Sequence, residues 1–215
     1  MALEEELESA LIQGAIRPAL IAWWRPRLRR IAHWVAGWEM ARGPAPRRAA
    51  ERAGEWVLPV AGGFTLAGRA DRIERRADDG VVLIDFKTGA VPGEADVARG
   101  WAPQLPLEAA MAEAGAFGRE FQGPVAALLY LHLTGGVTPG VEHALFATDP
   151  AALGEVIAAT KARLIATLDA FSDETTPYRA NPPRPDRAAW RSDYAALARQ
   201  SEWQVASPEG SDDDG

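Results

Sequence analysis

The sequence predicts an α/β domain in which a mixed central sheet is flanked by helices. Residues 17–41 repeat apolar side chains at about 3.6-residue spacing, which is typical of a long helix. Residues 55–87 then hold three apolar runs separated by short turns, as expected for strands. Beyond residue 100, helical and strand patterns alternate, which is the arrangement of helices packed against a sheet.

The first half of the chain contains the long helix and a set of strands. Pro26 lies inside the helical stretch and is expected to kink it, and the segment 43–46, with one glycine and two prolines, ends it. Strands are expected over residues 55–60, 64–75 and 81–87, joined by a glycine turn and a five-residue loop.

The second half is expected to alternate helices and strands. A helix with prolines in its first turns is expected over 103–114, followed by strands over 125–133 and 141–147. A helix over 150–171 follows, and a short helix is expected near 187–199. A short amphipathic helix over residues 2–13 is expected to precede all of these elements.

We expect one domain over residues 1–204, with an N-terminal helical part (1–46) and a core with a C-terminal extension (47–204). Residues 205–215 include an acidic run and are expected to be disordered. No apolar run approaches the roughly 18 residues needed to span a bilayer, and the first residues are acidic rather than signal-like. We therefore expect a cytoplasmic protein that does not bind a membrane.

Composition excludes some chemistry and leaves one question open. The chain has no cysteine, which excludes disulfides, Cys-ligated zinc and Cys-ligated iron–sulfur clusters. A net charge of −7 argues against a nucleic-acid partner for the chain as a whole, yet residues 17–52 hold nine arginines against two glutamates. This segment is either a local basic face that binds phosphates or a solvated helix face. The arginines are Arg17, Arg25, Arg27, Arg29, Arg30, Arg42, Arg47, Arg48 and Arg52.

Two acids and a lysine form the strongest candidate site. Asp85 and Lys87 lie two residues apart at the end of an apolar strand, so their side chains share a face. A hairpin loop of five residues would place Asp71 of the preceding strand opposite Asp85, whereas a loop of four would place it opposite Phe86. We expect the five-residue register, or a bulge with the same effect.

Opposed carboxylates at Asp71 and Asp85 repel each other unless a cation lies between them. Oxygen ligands without cysteine or a pair of histidines favour a hard ion, Mg²⁺ or Mn²⁺. Such an ion can activate water and stabilise charge on a phosphoryl group, with Lys87 alongside. The pattern therefore indicates a metal-dependent phosphodiesterase site. The alternative is structural: Asp85 ends a strand, and Lys87 pairs with it as a salt bridge.

Three motifs in series resemble the RecB-type nuclease domain of the PD-(D/E)xK superfamily. They are GRADRI at residues 68–73, IDFKTG at 84–89 and QLPLEA at 104–109. Their order and spacing most resemble the C-terminal nuclease domain of bacterial AddB, a subunit of the AddAB helicase–nuclease. The segment 194–203 is similar to the end of that subunit. The resemblance covers most of the chain and is strongest over 64–110.

The resemblance implies roles for five residues. Asp71 and Asp85 would bind the metal, the backbone carbonyl of Phe86 would complete its shell, and Lys87 would be the catalytic lysine. Gln104 matches the glutamine of a Gln-x-x-x-Tyr motif, which contacts DNA or braces the site. The fold implied is that of restriction endonucleases, with Mg²⁺ (or Mn²⁺) as the cofactor and without the iron–sulfur cluster of many AddB-like relatives.

Further residues are candidates around this set. An acid on the preceding strand often assists in this family; we favour Glu51 over Glu55 for this role, and either is also consistent with a plain surface acid. We expect Arg69 and Arg72, which flank Asp71, to contact DNA.

The function implied is Mg²⁺-dependent hydrolysis of DNA, as an exonuclease, in double-strand-break repair by recombination. An AddA-like helicase subunit would be the partner. Two features depart from the family pattern: Glu108 replaces the motif's tyrosine, and no histidine follows a glycine by four residues, so the Gly-x-x-x-His motif is absent. The family's whole subunit is also longer, so the chain would be a fragment or a remnant. A non-catalytic DNA-binding or scaffold module is therefore the main alternative, and a purely structural domain is the third.

Overall fold

The computed structural model describes residues 18–43, 45–60 and 62–177. The helices expected over 2–13 and 187–199, and the disordered tail expected after residue 204, lie outside the described residues. The chain divides into two compact units whose boundary lies between Asp169 and Ala170. In the second unit, the described residues form the end of a helix followed by a turn.

The described residues form helices and strands in the alternation that the sequence predicts. In chain order the elements are α1 (Pro18–Arg42), β1 (Arg47–Leu58), β2 (Phe64–Arg75), β3 (Val81–Lys87), α2 (Glu94–Ala98), α3 (Gln104–Glu113), a 3₁₀ helix (Arg119–Phe121), β4 (Val125–Leu133), β5 (Gly140–Leu145) and α4 (Pro150–Phe171).

The strands form one five-stranded sheet in the order β1-β2-β3-β4-β5. Strands β3 and β4 are parallel, and the other neighbouring pairs are antiparallel. A parallel pair needs a long crossover connection, and the chain between β3 and β4 supplies it with α2, α3 and the 3₁₀ helix. The expected mixed sheet with flanking helices is confirmed.

The start of the first strand differs from the sequence-based expectation. Strand β1 begins at Arg47, eight residues before the expected start, and its first eight residues (RRAAERAG) contain no β-branched residue. These residues form a strand because they pair with β2 from Arg47 opposite Arg75 onwards, with a gap at Glu51. Pairing with a neighbouring strand therefore overrides a local composition that does not favour a strand. The short helix α2 and the 3₁₀ helix were also not expected from the sequence.

The two faces of the sheet contact different helices. On one face, Leu83 and Tyr130 belong to a core that includes buried residues of α3 and α4. On the other face, Ile84 and Leu131 form a smaller core against Trp34 of α1. Alternation along β3 explains why every residue from Val81 to Asp85 is buried, because both faces of this central strand are covered. None of the described helices is long and apolar enough to cross a membrane.

Ion pairs as well as apolar contacts attach α1 to the sheet. Glu74 of β2 is almost fully buried, and it accepts a hydrogen bond from Arg42 of α1 at 2.6 Å. The Arg72 guanidinium binds Glu74 and also reaches Glu39 of α1. The hydrogen bond from Arg72 holds the pKa of Glu39 below its usual value. Because both partners are present, the buried carboxylate of Glu74 is compensated.

Candidate active site

The candidate site lies at the carboxyl end of the central strand β3. Asp85 is the last buried residue of this strand, with 1% of its surface exposed, and Lys87 follows on the same face. Lys87 Nζ lies 3.0 Å from Oδ1 of Asp85, to which it donates a hydrogen bond, and 2.8 Å from Oδ2. Burial raises the pKa of Asp85, the contact with Lys87 lowers it, and the charge of Asp71 raises it further.

The hairpin between β2 and β3 has the expected five-residue register. Arg75 pairs with Val81, and the ladder runs as far as Arg72 opposite Ile84. Asp71 is the next residue of β2, and its Oδ2 accepts a hydrogen bond from the backbone N–H of Phe86 at 3.0 Å. Continued by one residue, this register places Asp71 opposite Asp85, and the Asp71 side chain contacts the backbone of the following residue of β3.

A local irregularity in two strands lies at Asp71. Ala70 and Ile73 are three positions apart in β2, yet both belong to the same core. The strict alternation of side chains between the two faces of the sheet is therefore broken between them. Glu51 of β1 lies across the ladder from Asp71 and has a φ of +50°. The residues before and after these two are paired between β1 and β2, but Glu51 and Asp71 are not. The register is the same on both sides, so no residue is inserted, and the positive φ of a non-glycine residue marks this point of the ladder as irregular.

Helix α3 brings a polar pair to the same place. Its first residue, Gln104, accepts a hydrogen bond from Lys87 Nζ at 3.2 Å. Gln104 in turn donates to Glu108 Oε1, one helical turn later, also at 3.2 Å. Lys87 is thus held between Asp85 and Gln104. The structure brings together four of the residues that the sequence indicates, namely Asp71, Asp85, Lys87 and Gln104.

Glu108 is a functional candidate that the sequence analysis did not identify. Only 6% of its surface is exposed, and burial raises its pKa to about 7; the charges of Asp85 and Asp71 act in the same direction. The signal in the sequence is the position of Glu108 four residues after Gln104, where the family pattern has a tyrosine. The spacing places both side chains on one helix face.

Tyr130 of β4 completes the wall beside the lysine. It is the direct partner of Asp85 in the parallel ladder, and its ring centroid lies 5.8 Å from Lys87 Nζ. Burial raises the pKa of Tyr130 to about 12, so the phenol keeps its proton near neutral pH. Its ring makes a cation–π contact with the Lys87 ammonium.

The residues at this edge fit a hard divalent cation. Among the described residues, no group of three or more His, Cys, Asp or Glu side chains is arranged to hold a metal, so a site would use Asp71, Asp85 and the Phe86 carbonyl. Glu108 Oε2 is buried without a hydrogen-bond donor, whereas Asp85 Oδ2 lies 2.8 Å from the Lys87 ammonium. Buried anionic oxygens without donors are costly, and a cation would offset that cost. The donors are all oxygen atoms, which suits Mg²⁺ or Mn²⁺.

The sequence also matches the model of a known protein family. The family model of the PD-(D/E)XK nuclease superfamily matches residues 1–212. The chain belongs to this superfamily. Its members are nucleases that typically use divalent metals, and the mixed sheet with flanking helices is the restriction-endonuclease-like fold that they share.

Individual relatives add little to this assignment. An uncharacterized protein from Rickettsia felis is 37% identical over 62 residues, which is 28% of this chain and 7% of that protein. The chain thus matches only a small part of that protein. A solved structure described as "Crystal structure of SSO0001" is 16% identical, with a TM-score of 0.35, over 78% of this chain and 69% of that one.

Three other candidate residues of this PD-(D/E)XK chain lie outside the hydrogen-bonded cluster of Asp85, Lys87 and Gln104. They are Glu51, Arg69 and Arg72. Glu51 forms an exposed ion pair with Arg69 at 3.3 Å, and both side chains are 65% exposed. The Arg72 side chain donates hydrogen bonds to Glu39 and Glu74 on the face of the sheet that packs against α1. Partial burial lowers the pKa of Arg72, but these hydrogen bonds outweigh that effect and raise it.

Proposed function

We propose that the chain is a metal-dependent deoxyribonuclease that hydrolyses phosphodiester bonds at DNA ends. The observation that carries the proposal is the convergence of Asp71, Asp85 and Lys87 at one edge of the sheet. Asp71 is tied to β3 by the backbone N–H of Phe86, and the buried carboxylate of Asp85 lies beside the Lys87 ammonium. Membership of a nuclease superfamily makes phosphodiester hydrolysis the reaction to test first.

The proposed roles follow from the contacts. Asp71, Asp85 and the Phe86 carbonyl would hold Mg²⁺ or Mn²⁺, which when bound supplies Lewis acidity at a phosphate oxygen. Lys87 is held between Asp85 and Gln104, beside the proposed metal ligands, where its ammonium can neutralise charge that develops on the phosphate. Gln104 is then a positioning residue, because it holds the lysine and is itself bonded to Glu108.

The finer biological assignment follows from the resemblance of three motifs to AddB. On that basis we propose an exonuclease in double-strand-break repair by recombination, acting in the cytoplasm with an AddA-like helicase partner. The nuclease domain would extend over residues 1–204. Glu51 would be the assisting acid, and Arg69 would contribute to DNA contacts. Arg72 would do so only when released from Glu39 and Glu74.

A non-catalytic DNA-binding or scaffold module is the second candidate. The missing Gly-x-x-x-His motif favours it, and so does the lack, among the described residues, of a three-side-chain metal group. In this alternative Lys87 and Asp85 would form only a structural ion pair.

A cleavage assay separates the two candidates. The purified chain is incubated with single-stranded and blunt double-stranded DNA, with EDTA, Mg²⁺ or Mn²⁺. We expect metal-dependent cleavage that falls at least about 100-fold in both Asp85→Ala and Lys87→Ala, since such groups act on the transition state. Lys161→Ala and Glu113→Ala, which change exposed side chains, are the matched controls and should cleave normally.

The result that would contradict the proposal is DNA binding by the folded chain without turnover under any metal condition, which the scaffold alternative expects. Cleavage that persists unchanged in Asp85→Ala would equally remove this site from the mechanism. Circular dichroism of each variant shows whether a loss of cleavage reflects a loss of folding.

A further inference from the structure

A pocket opens at the turn end of the β2–β3 hairpin, which is the end opposite to the candidate site. It has a volume of about 520 Å³ and lies where β1 begins, β2 ends and the 3₁₀ helix passes. The charged residues that line it are four arginines and two acids: Arg47, Arg75, Arg76, Arg119, Asp79 and Glu120.

The acids of this pocket are already paired. Asp79 lies 3.0 Å from the guanidinium of Arg75, and Glu120 lies 2.9 Å from that of Arg52, which is outside the pocket. Arg76 pairs at 2.9 Å with Asp78, also outside the pocket lining.

Two arginines remain without a carboxylate. Within the described residues, neither the Arg47 nor the Arg119 side chain makes a hydrogen bond or an ion pair, and both side chains are exposed. An anionic ligand entering the pocket therefore meets two uncompensated guanidinium groups, each able to bind a phosphate through two hydrogen bonds.

Contacts along strands β1 and β2 position two of the arginines that line the pocket. Arg47 and Arg75 are direct partners in the β1–β2 ladder, and Arg75 also donates to the carbonyl of Gln122 at 2.7 Å. An adjoining pocket of about 490 Å³ shares Arg47 and adds Arg48 and Arg52, so the basic surface continues along β1. Side chains anchored on strands are better placed to recognise a ligand than side chains on loops.

The pocket and the candidate site lie on one face of the sheet. Arg75 lies two residues after Ile73, which belongs to the core shared with α3, and Asp85 lies two residues after Leu83 of that same core. Arg75 is four residues from Asp71 along β2, which corresponds to about 13 Å. Ile73, which lies between Arg75 and Asp71, is fully buried, so a nucleic-acid strand that contacts both ends passes around this core and needs more than the roughly four nucleotides of a straight path.

We propose that this arginine pocket binds backbone phosphates of a nucleic-acid strand whose neighbouring segment reaches the Asp71–Asp85 edge. The inference rests on the proposed function for the choice of nucleic acid over other polyanions. The pocket adds affinity and position without base contacts, since guanidinium–phosphate pairs carry no sequence information. It also gives the acidic chain, with its net charge of −7, a local surface for a polyanion.

The test measures binding without cleavage. A labelled single-stranded DNA oligonucleotide is titrated with the full chain in EDTA at several salt concentrations. For Arg47→Gln combined with Arg119→Gln, we expect an affinity loss of at least about fivefold. The slope of log K against log salt should fall by about 1.4, because two phosphate contacts are removed. Lys161→Gln combined with Arg163→Gln removes two charges from exposed positions of α4 and should leave the slope unchanged.

Two further arms make the outcome decisive. Arg47→Lys with Arg119→Lys keeps both charges and should restore most of the salt slope. Inorganic tripolyphosphate should compete only weakly, since it is too short to engage both pocket and site. An unchanged slope in the glutamine variant, no oligonucleotide binding by the wild type, or tripolyphosphate binding as tight as the oligonucleotide would each overturn the inference.

The result is independent of the cleavage assay. If the wild type binds through the pocket but cleaves no DNA, the proposed function fails and the pocket stands. If it cleaves DNA and the pocket variants keep the wild-type salt slope, the pocket fails and the nuclease stands.

Discussion

At the scale of single residues, Glu108 connects burial to pH dependence. Its side chain is held by Gln104 on one oxygen and has no donor on the other. Because its pKa rises from 4.5 to about 7 in the folded chain, the folded protein binds this proton more tightly than the unfolded chain does. The stability that comes from this proton is complete below pH 4.5 and is lost as the pH rises through about 7.

Replacing Glu108 tests this directly. In metal-free buffer, Glu108→Gln should be more stable than the wild type at pH 8, by up to about 3 kcal/mol, and equally stable near pH 4. The neutral amide keeps the contact with Gln104 without leaving a charge buried. Urea unfolding at both pH values measures the difference.

The control for this prediction is Glu113→Gln, at the exposed end of the same helix, which should not change the pH dependence. If Glu108→Gln lost stability equally at both pH values, the raised pKa would not be the cause of the pH dependence.

Spacing predicts how three residues of the candidate site are arranged: Asp85 and Lys87 share a face, and a five-residue loop places Asp71 opposite Asp85. Gln104 was predicted only from the family resemblance. Glu108 was not predicted, because its importance comes from burial beneath Gln104, which depends on how α3 packs. The ion pairs of Arg72 were not predicted either, because Glu39 lies 33 residues away on another element.

At the scale of elements, β1 shows where the strand depends on contacts rather than composition. Gly54 is buried against α3's neighbouring segment, and a Cβ at this position would lie 2.6 Å from Phe117 Cδ1 and 2.8 Å from the carbonyl of Ala116. A glycine here lets the strand approach the chain that follows α3.

Gly54→Ala should therefore destabilise the protein by about 1–3 kcal/mol, the usual cost of overpacking a core. The natural comparison is Gly37→Ala in α1, where nothing lies within 4 Å of the new Cβ. That change should stabilise the helix by up to about 1 kcal/mol. Thermal unfolding of both variants gives the measurement, and equal effects of the two changes would contradict the close approach at Gly54.

Element bounds were predictable where local pattern and tertiary packing agree. Strands β2, β3 and β4 and helix α4 have the bounds that the sequence predicts. The first eight residues of β1 could not be predicted, because arginine and alanine do not favour strands. They form a strand only because they pair with β2. The five-residue helix α2 is too short to produce a detectable period.

At the scale of the whole molecule, the fold places distant residues at two ends of one sheet. At one end, residues 71, 85–87 and 104–108 meet although more than 30 positions separate the first from the last. At the other end, arginines from three elements line a single pocket. The net charge of the chain conceals this separation, with anionic oxygens at one edge and guanidinium groups at the other.

The central claim is that the Asp71 and Asp85 carboxylates form a single cation site, and Mn²⁺ binding measured by electron paramagnetic resonance tests it most directly. We expect one Mn²⁺ per chain at pH 7.5, with affinity at least about tenfold weaker in Asp71→Asn and Asp85→Asn and unchanged in Asp149→Asn, which alters a helix cap. Equal Mn²⁺ affinity in the wild type and both site variants would contradict the account.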